Sequence, residues 1–252
     1  MKRTVVVPDL QVPLHDPVAV NNVAAYIKAV RPDSVVTLGD EADFTEIGRW
    51  SEGKPGWYEQ TLAENRDMTV DVLWQLGEYS KEQHMIRSNH TDRLFNVIMN
   101  KIPSFMSLPE LRFEKFLRLD ELGITYHKKP YAIARGIVAV HGDEQSVKPT
   151  PGLTALEAAR RHGISVICGH THRAGQSAFT EASGGRIGRI LRGWEGGHLM
   201  DVRQALYTKG TMNWQQAFII IEEIGTNVQV SIINLEKDGT FIVSGKRYGR
   251  AR

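Results

Sequence analysis

Residues 35 to 43 read Val-Val-Thr-Leu-Gly-Asp-Glu-Ala-Asp. Four apolar or β-branched residues running into Gly39 and Asp40 describe a buried strand that delivers a carboxylate at its C-terminal edge, where α/β folds keep their sites. A carboxylate in that place has one oxygen for each of two cations, and its charge offsets part of theirs. Residues 4–7 form an earlier strand that ends at Pro8 and Asp9. Between the two, Asp16 stands at a helix N-cap and Pro17 at the first helical position, with Val20, Val23, Ala24 and Ile27 on one apolar face. Strand, helix, strand is the unit that builds a parallel sheet.

The same reading continues down the chain. Residues 44–57 carry glycines and a proline and read as loop, and a helix is expected from about 58 to 79 with Leu62, Met68, Val72, Leu73 and Leu76 buried. Residues 84–87 form a third strand that reaches Ser88, Asn89 and His90. Residues 92–122 are helical but broken at Pro103 and Pro109, which suggests an insert beside the site in an otherwise single domain spanning 1–252. A hairpin across Arg135-Gly136 delivers His141. After a helix over 153–162, the strand 164–168 delivers Gly169 to His172. β hairpins follow: 176–180 with 186–191, then 217–222, 228–235 and 240–244.

Composition excludes several classes. At 252 residues with 41% hydrophobic content the chain can bury a large core. A net charge of +2 announces no polyanion-binding surface, and Arg247, Arg250 and Arg252 make only a basic tail. Cys168 is the single cysteine, so no internal disulfide forms. No apolar run approaches the ~20 residues of a membrane span, and none at the start resembles a signal peptide; a cytoplasmic protein without membrane contact is expected.

The chemistry stands at the strand ends: Asp9, Asp40, Asn89 with His90, His141, and His170 with His172. All are residue types that bind divalent metals through oxygen or imidazole. Asp9-x-Gln11, Gly39-Asp40-x-x-Asp43, Asn89-His90, His141-Gly142 and Gly169-His170-Thr171-His172 together resemble the ordered motif series of the calcineurin-like metallophosphoesterases. The resemblance implies an α/β fold, a four-layer α/β/β/α sandwich of two mixed sheets flanked by helices, with the C-terminal hairpins completing the second sheet. It further implies two divalent metal ions, Mn²⁺ preferred over Fe, Ni or Zn. Asp9, Gln11, Asp40 and His172 would hold the first, and Asp40, Asn89, His141 and His170 the second. Two ions about 3.5 to 4 Å apart lower the pKa of a bridging water and clamp the phosphoryl oxygens.

In the family, the histidine at His90 assists the leaving group and the carboxylate at Asp43 orients it. Arg93 matches an arginine that binds substrate phosphate, although an ordinary surface arginine is as good a reading. Gln11 departs from the family, which has histidine there; an amide oxygen is a weaker, neutral ligand. Ser88 stands where glycine is common. The expected activity is hydrolysis of a phosphate ester by in-line attack of a metal-bridging hydroxide, on a nucleotide or a phosphoprotein. A nuclease acting on DNA or RNA, and a phosphoesterase-like scaffold that binds without catalysis, stand as alternatives. Trp50, Trp57 and Trp74 are read as packing residues. The stretch from Gly193 to His198 reads equally as pocket lining or plain loop.

Overall fold

The computed structural model describes residues 1–47, 61–205 and 212–251. In chain order its elements are β1 (Lys2–Val7), α1 (Pro17–Val30), β2 (Ser34–Thr37), α2 (Leu62–Gly77), β3 (Glu82–Ile86), α3 (Thr91–Lys101), the short α4 (Phe113–Phe116) and β4 (Ile124–His127). There follow β5 (Tyr131–Ala134), β6 (Ile137–Val140), α5 (Leu153–His162), β7 (Ser165–Cys168), β8 (Ala174–Ser183) and β9 (Arg186–Gly196). The chain finishes with β10 (Ala217–Ile224), β11 (Asn227–Asn234), β12 (Phe241–Val243) and β13 (Lys246–Tyr248). Asp16 caps α1 by accepting from the amides of Val18 and Ala19, and Pro17 sits where the helix has no use for a donor.

β1 to β4 run parallel, so their C-terminal ends share one edge. One sheet has the order β11-β10-β1-β2-β3-β4 and the other β5-β6-β7-β9-β8. The period-2 alternation of strands builds the layers. Val6 and Val36 turn inward, meeting Ile137, Ile167 and Trp194 of the facing sheet. Val5, Val7 and Val35 turn outward under Val20, Val23 and Ile27 of α1. On the opposite outer face, Ala155, Ala158 and Ala159 of α5 cover Val166 and Cys168. The result is the expected α/β/β/α sandwich, and the small residues on α5 let it lie close. A Cβ on Gly193 of β9 would stand 2.1 Å from the Leu156 nitrogen.

Two expectations are corrected. The late hairpins do not all complete the second sheet: β8 and β9 do, while β10 pairs antiparallel with β1 and carries β11 with it. Ile219 and Ile221 point into the sandwich and Phe218 and Ile220 onto the α1 layer. That alternation suits either sheet, so the pattern is silent on which one is joined. Met68 is 36% exposed rather than buried. The buried stripe of α2 instead passes through Asn65 and Thr69 to Val72, Leu73 and Leu76. Those two polar residues are satisfied, Asn65 by donating to Glu46 and Thr69 by donating to the Asn65 carbonyl. In addition β4, which follows the 92–122 segment and was not among the expected strands, forms the edge of the first sheet. Among the described residues, no helix is long and apolar enough to cross a membrane.

Candidate metal centre

The strand ends converge. Asp40 is the hub: its Oδ1 lies 3.3 Å from His141 Nε2, and its Oδ2 accepts from Gln11 Nε2 at 2.9 Å. Its backbone takes a left-handed φ of 54° and its amide donates to Ser88 Oγ at 2.9 Å. Gly39, at φ 94°, is required by close approach. A Cβ there would meet Ser88 Cβ at 2.5 Å and His141 Nδ1 at 2.8 Å. The loops after β2, β3 and β6 therefore touch around this one glycine, and Ser88, a departure from the usual glycine, holds the Asp40 backbone.

His141 donates from Nδ1 to the Leu38 carbonyl at 2.7 Å, which turns Nε2 toward Asn89 Oδ1 at 2.9 Å. Donor atoms of Asp40, His141 and His170 lie within 4.8 Å of one another. His172 Nε2 stands 3.6 Å from Asp9 Oδ2. The structure thus brings Asp9, Gln11, Asp40, Asn89, His141, His170 and His172 into one neighbourhood.

Burial sets the charges. It pushes the Asp9 carboxyl well above its usual range. Burial acts the same way on Asp40, but the charge of His141, joined by hydrogen bonds from His141 and Ser88, outweighs it and holds this carboxyl well below the usual range. Burial alone would depress His141; Asp40, by charge and hydrogen bond, and then Asp9 lift it to about 10. His141 is therefore an imidazolium at neutral pH, a cation lodged beside two buried acids. His170 and His172 are pushed down by burial, then by His141 and His198 respectively, and keep a free lone pair.

Several atoms remain unanswered. Neither oxygen of Asp9, which is 0% exposed, accepts a hydrogen bond of ordinary geometry, nor does Gln11 Oε1, and His172 Nδ1 has no partner. A carboxylate buried in this way is unfavourable by on the order of several kcal/mol unless a cation meets it; the His141 ring, 3.8 Å away, and the His170 backbone offset only part of that, since the Asp9 carboxyl still stands well above its usual range. This donor set fits metal ions. Gln11, at φ 53°, presents its amide NH₂ to Asp40 and its bare oxygen away. Turning that amide over would set the oxygen against Asp40, an arrangement that only an intervening cation makes favourable.

His90 is 3.8 Å from Asp40 Oδ2 and its Nδ1 3.5 Å from Asp43 Oδ1. Arg93 does not reach into open space. Its guanidinium donates to the Asp43 carbonyl and, at 2.8 Å, to His90 Nε2. Because a guanidinium only donates, His90 Nε2 accepts, and the proton of a neutral His90 sits on Nδ1 facing Asp43.

Other candidates lie elsewhere. His84 and His127 stack on Tyr131 with ring centroids 4.8 and 4.1 Å away, apart from the donor set. His162 Nε2 stands 3.8 Å from Glu144. Cys168 is buried in packing. Trp74 is 55% exposed, and Trp50 and Trp57 lie outside the described residues. Two further residues border the site: Trp214, given no role from the sequence, sets its ring edge-on against His172 at 4.4 Å, and His198, at the end of the stretch read as pocket lining or plain loop, lies 5.8 Å from the His172 ring. His198 accepts the Met200 amide at Nδ1 and leaves its buried Nε2 unpartnered. Only the glycines around His198 gave a signal; Trp214 gave none.

The α/β/β/α sandwich is a fold the chain shares with a solved structure. The structure of vacuolar protein sorting 29 from Cryptosporidium parvum superposes with a TM-score of 0.51 at 15% identity, covering 99% of this chain and 98% of that one. No family model matches the sequence. The Gene 54 protein of Mycobacterium phage D29 is 31% identical over 250 residues, 97% of each chain. That of Mycobacterium phage L5 is 31% identical over 253 residues, covering 97% of this chain and 98% of that one. The chain belongs to the family of these mycobacteriophage Gene 54 proteins.

Proposed function

We propose that the protein is a metal-dependent phosphoesterase. The observation that carries the reading is the fully buried carboxylate of Asp9, which accepts no hydrogen bond of ordinary geometry, set among Gln11, Asp40 and His172. Asp9, Gln11, Asp40 and His172 would hold one ion and Asp40, Asn89, His141 and His170 a second, with Mn²⁺ favoured by the mixture of oxygen and imidazole and Fe, Ni or Zn also suited. Divalent ions so held would supply Lewis-acid polarisation of a phosphoryl group and activation of water.

The chain's own residues supply the rest. Arg93 is a two-pronged donor that here spends one prong on His90 Nε2. A phosphate dianion is a better acceptor than an imidazole. On substrate binding Arg93 turns to the phosphate, and His90 Nε2 is released to take up a proton. Asp43 stabilises the resulting imidazolium through Nδ1, and His90 then gives the Nε2 proton to the departing oxygen. The substrate class is a phosphate ester, with a nucleotide or phosphoprotein ahead of DNA or RNA because the chain carries no extended basic stripe.

A binding scaffold without turnover is the second reading. Gln11 favours it, since its amide already occupies Oδ2, one of the two Asp40 oxygens that a pair of ions would take. The fold is also used by a protein named for vacuolar sorting, and a fold alone does not imply hydrolysis. Elemental analysis together with hydrolysis of mono- and bis-aryl phosphates separates the two. About two equivalents of metal with turnover lost in Asp40→Asn supports the esterase; bound metal with neither ester cleaved supports the scaffold. Faster cleavage of the bis-aryl ester would shift the substrate to a diester.

A further inference from the structure

The loop that carries His170 and His172 is strained. Both histidines are non-glycine residues in the left-handed region, at φ 63° and 56°. Such positions cost of order 1 kcal/mol or more each and persist only where the surroundings impose them. Between them Thr171 makes a tight turn, its amide donating to the Gly169 carbonyl at 2.7 Å. Something must hold this turn, and the neighbouring strand supplies it.

Glu195 of β9 lies opposite Cys168 in the parallel pairing of β7 with β9 and is 0% exposed. Its Oε2 accepts from Thr171 Oγ1 at 2.9 Å and its Oε1 from the Thr154 amide at the start of α5, also at 2.9 Å. The Thr171 hydroxyl in turn accepts from the Arg173 amide at 3.3 Å. Neither partner of the carboxylate is a cation. A buried acid answered only by a hydroxyl and an amide is expensive in desolvation, and charge-assisted hydrogen bonds are the strong kind. The chain gains from it a fixed point, tied to α5, at the midpoint of the turn between two histidines.

We infer that Glu195 is a positioning residue, clamping Thr171 so that His170 and His172 present their imidazoles to separate cations. The inference rests on the metal-site reading above. The hydroxyl of Thr171 has one proton to give and already accepts from Arg173. In Glu195→Gln the amide oxygen stays on the Thr154 N–H and the NH₂ can only donate to the hydroxyl's remaining lone pair, so a charge-assisted bond gives way to a weaker neutral one with its direction reversed. Thr171→Val removes the hydroxyl with little change of shape, and Thr171→Ser keeps it.

The test measures Mn²⁺ and Zn²⁺ binding to the full chain by calorimetry, with Co²⁺ loading followed by its visible spectrum and far-UV circular dichroism as a check of folding. Thr171→Val and Glu195→Gln are expected to bind about tenfold or more weakly, the scale of residues that orient metal ligands, and to shift the Co²⁺ bands. Thr171→Ser restores both. The double variant is no weaker than either single one, because Glu195 acts through Thr171. Wild-type affinity and wild-type bands in folded Thr171→Val and Glu195→Gln would overturn the inference alone, as would a Thr171→Ser as weak as the valine variant. A wild-type protein that takes up no metal would remove the metal-site reading and this inference with it.

Discussion

His141 makes the charge balance of the centre measurable. Its imidazolium is held at about 10 by Asp40 and Asp9, against about 6.5 for a histidine in an unfolded chain. A cation taking its place beside Asp40, Asn89 and His170 must displace the Nε2 proton. At pH 7 that displacement opposes binding by about 4 kcal/mol, from about 1.4 kcal/mol per pH unit over the three units to the folded value. Apparent affinity for the ion that His141 holds should therefore rise about tenfold per pH unit from pH 7 toward 9, with about one proton released as that ion binds. His170, pushed down by burial, adds no proton there. The stability of metal-free protein runs the other way. A folded pKa raised above the unfolded one stabilises fully below about 6.5 and ceases to do so as pH rises through about 10. Metal-free protein should melt at progressively lower temperature from pH 7 to 10, while metal-loaded protein should not. Calorimetry in two buffers of different ionisation enthalpy counts the protons, and thermal melts with and without chelator give the second slope. Binding without proton release between pH 7 and 9 would refute the assignment of charge to His141.

Three further outcomes follow from particular contacts. Asp40→Asn and His170→Ala should lose most bound metal and nearly all hydrolysis, read by elemental analysis and aryl phosphate turnover. Gln11→His, which replaces an amide with a stronger ligand, should raise affinity for the ion beside Asp9 severalfold, seen as a second, tighter calorimetric phase. Gly193→Ala, whose Cβ would meet the α5 backbone at 2.1 Å, should destabilise the fold by at least about 1–3 kcal/mol, the usual scale of overpacking, in chemical denaturation.

Much of this centre was legible because of how parallel strands work. An apolar run followed by Asp40, His141 or His170 states that a strand ends there, and parallel neighbours end together. That logic named Asp9, Asp40, Asn89, His141, His170 and His172 without coordinates, while Gln11 came from the family resemblance. It could not locate Trp214, which arrives from a segment with no strand to announce it, or Glu195, which acts from inside a strand rather than at its end. The family resemblance matched Arg93 to a substrate-binding arginine, with a surface arginine as good a reading; its present partners, His90 and the Asp43 carbonyl, depend on side-chain direction that spacing does not encode. The pairing of β10 with β1 was hidden for the reason that its two faces are equally apolar.

The central claim is that Asp40 is shared by two cations. Anomalous diffraction from crystals soaked in Mn²⁺ tests it most directly. The account requires two peaks about 3.5 to 4 Å apart, one flanked by Asp9 and His172, the other by Asn89, His141 and His170, with the Asp40 carboxylate between them. Peaks elsewhere, or none at saturating metal, would contradict it.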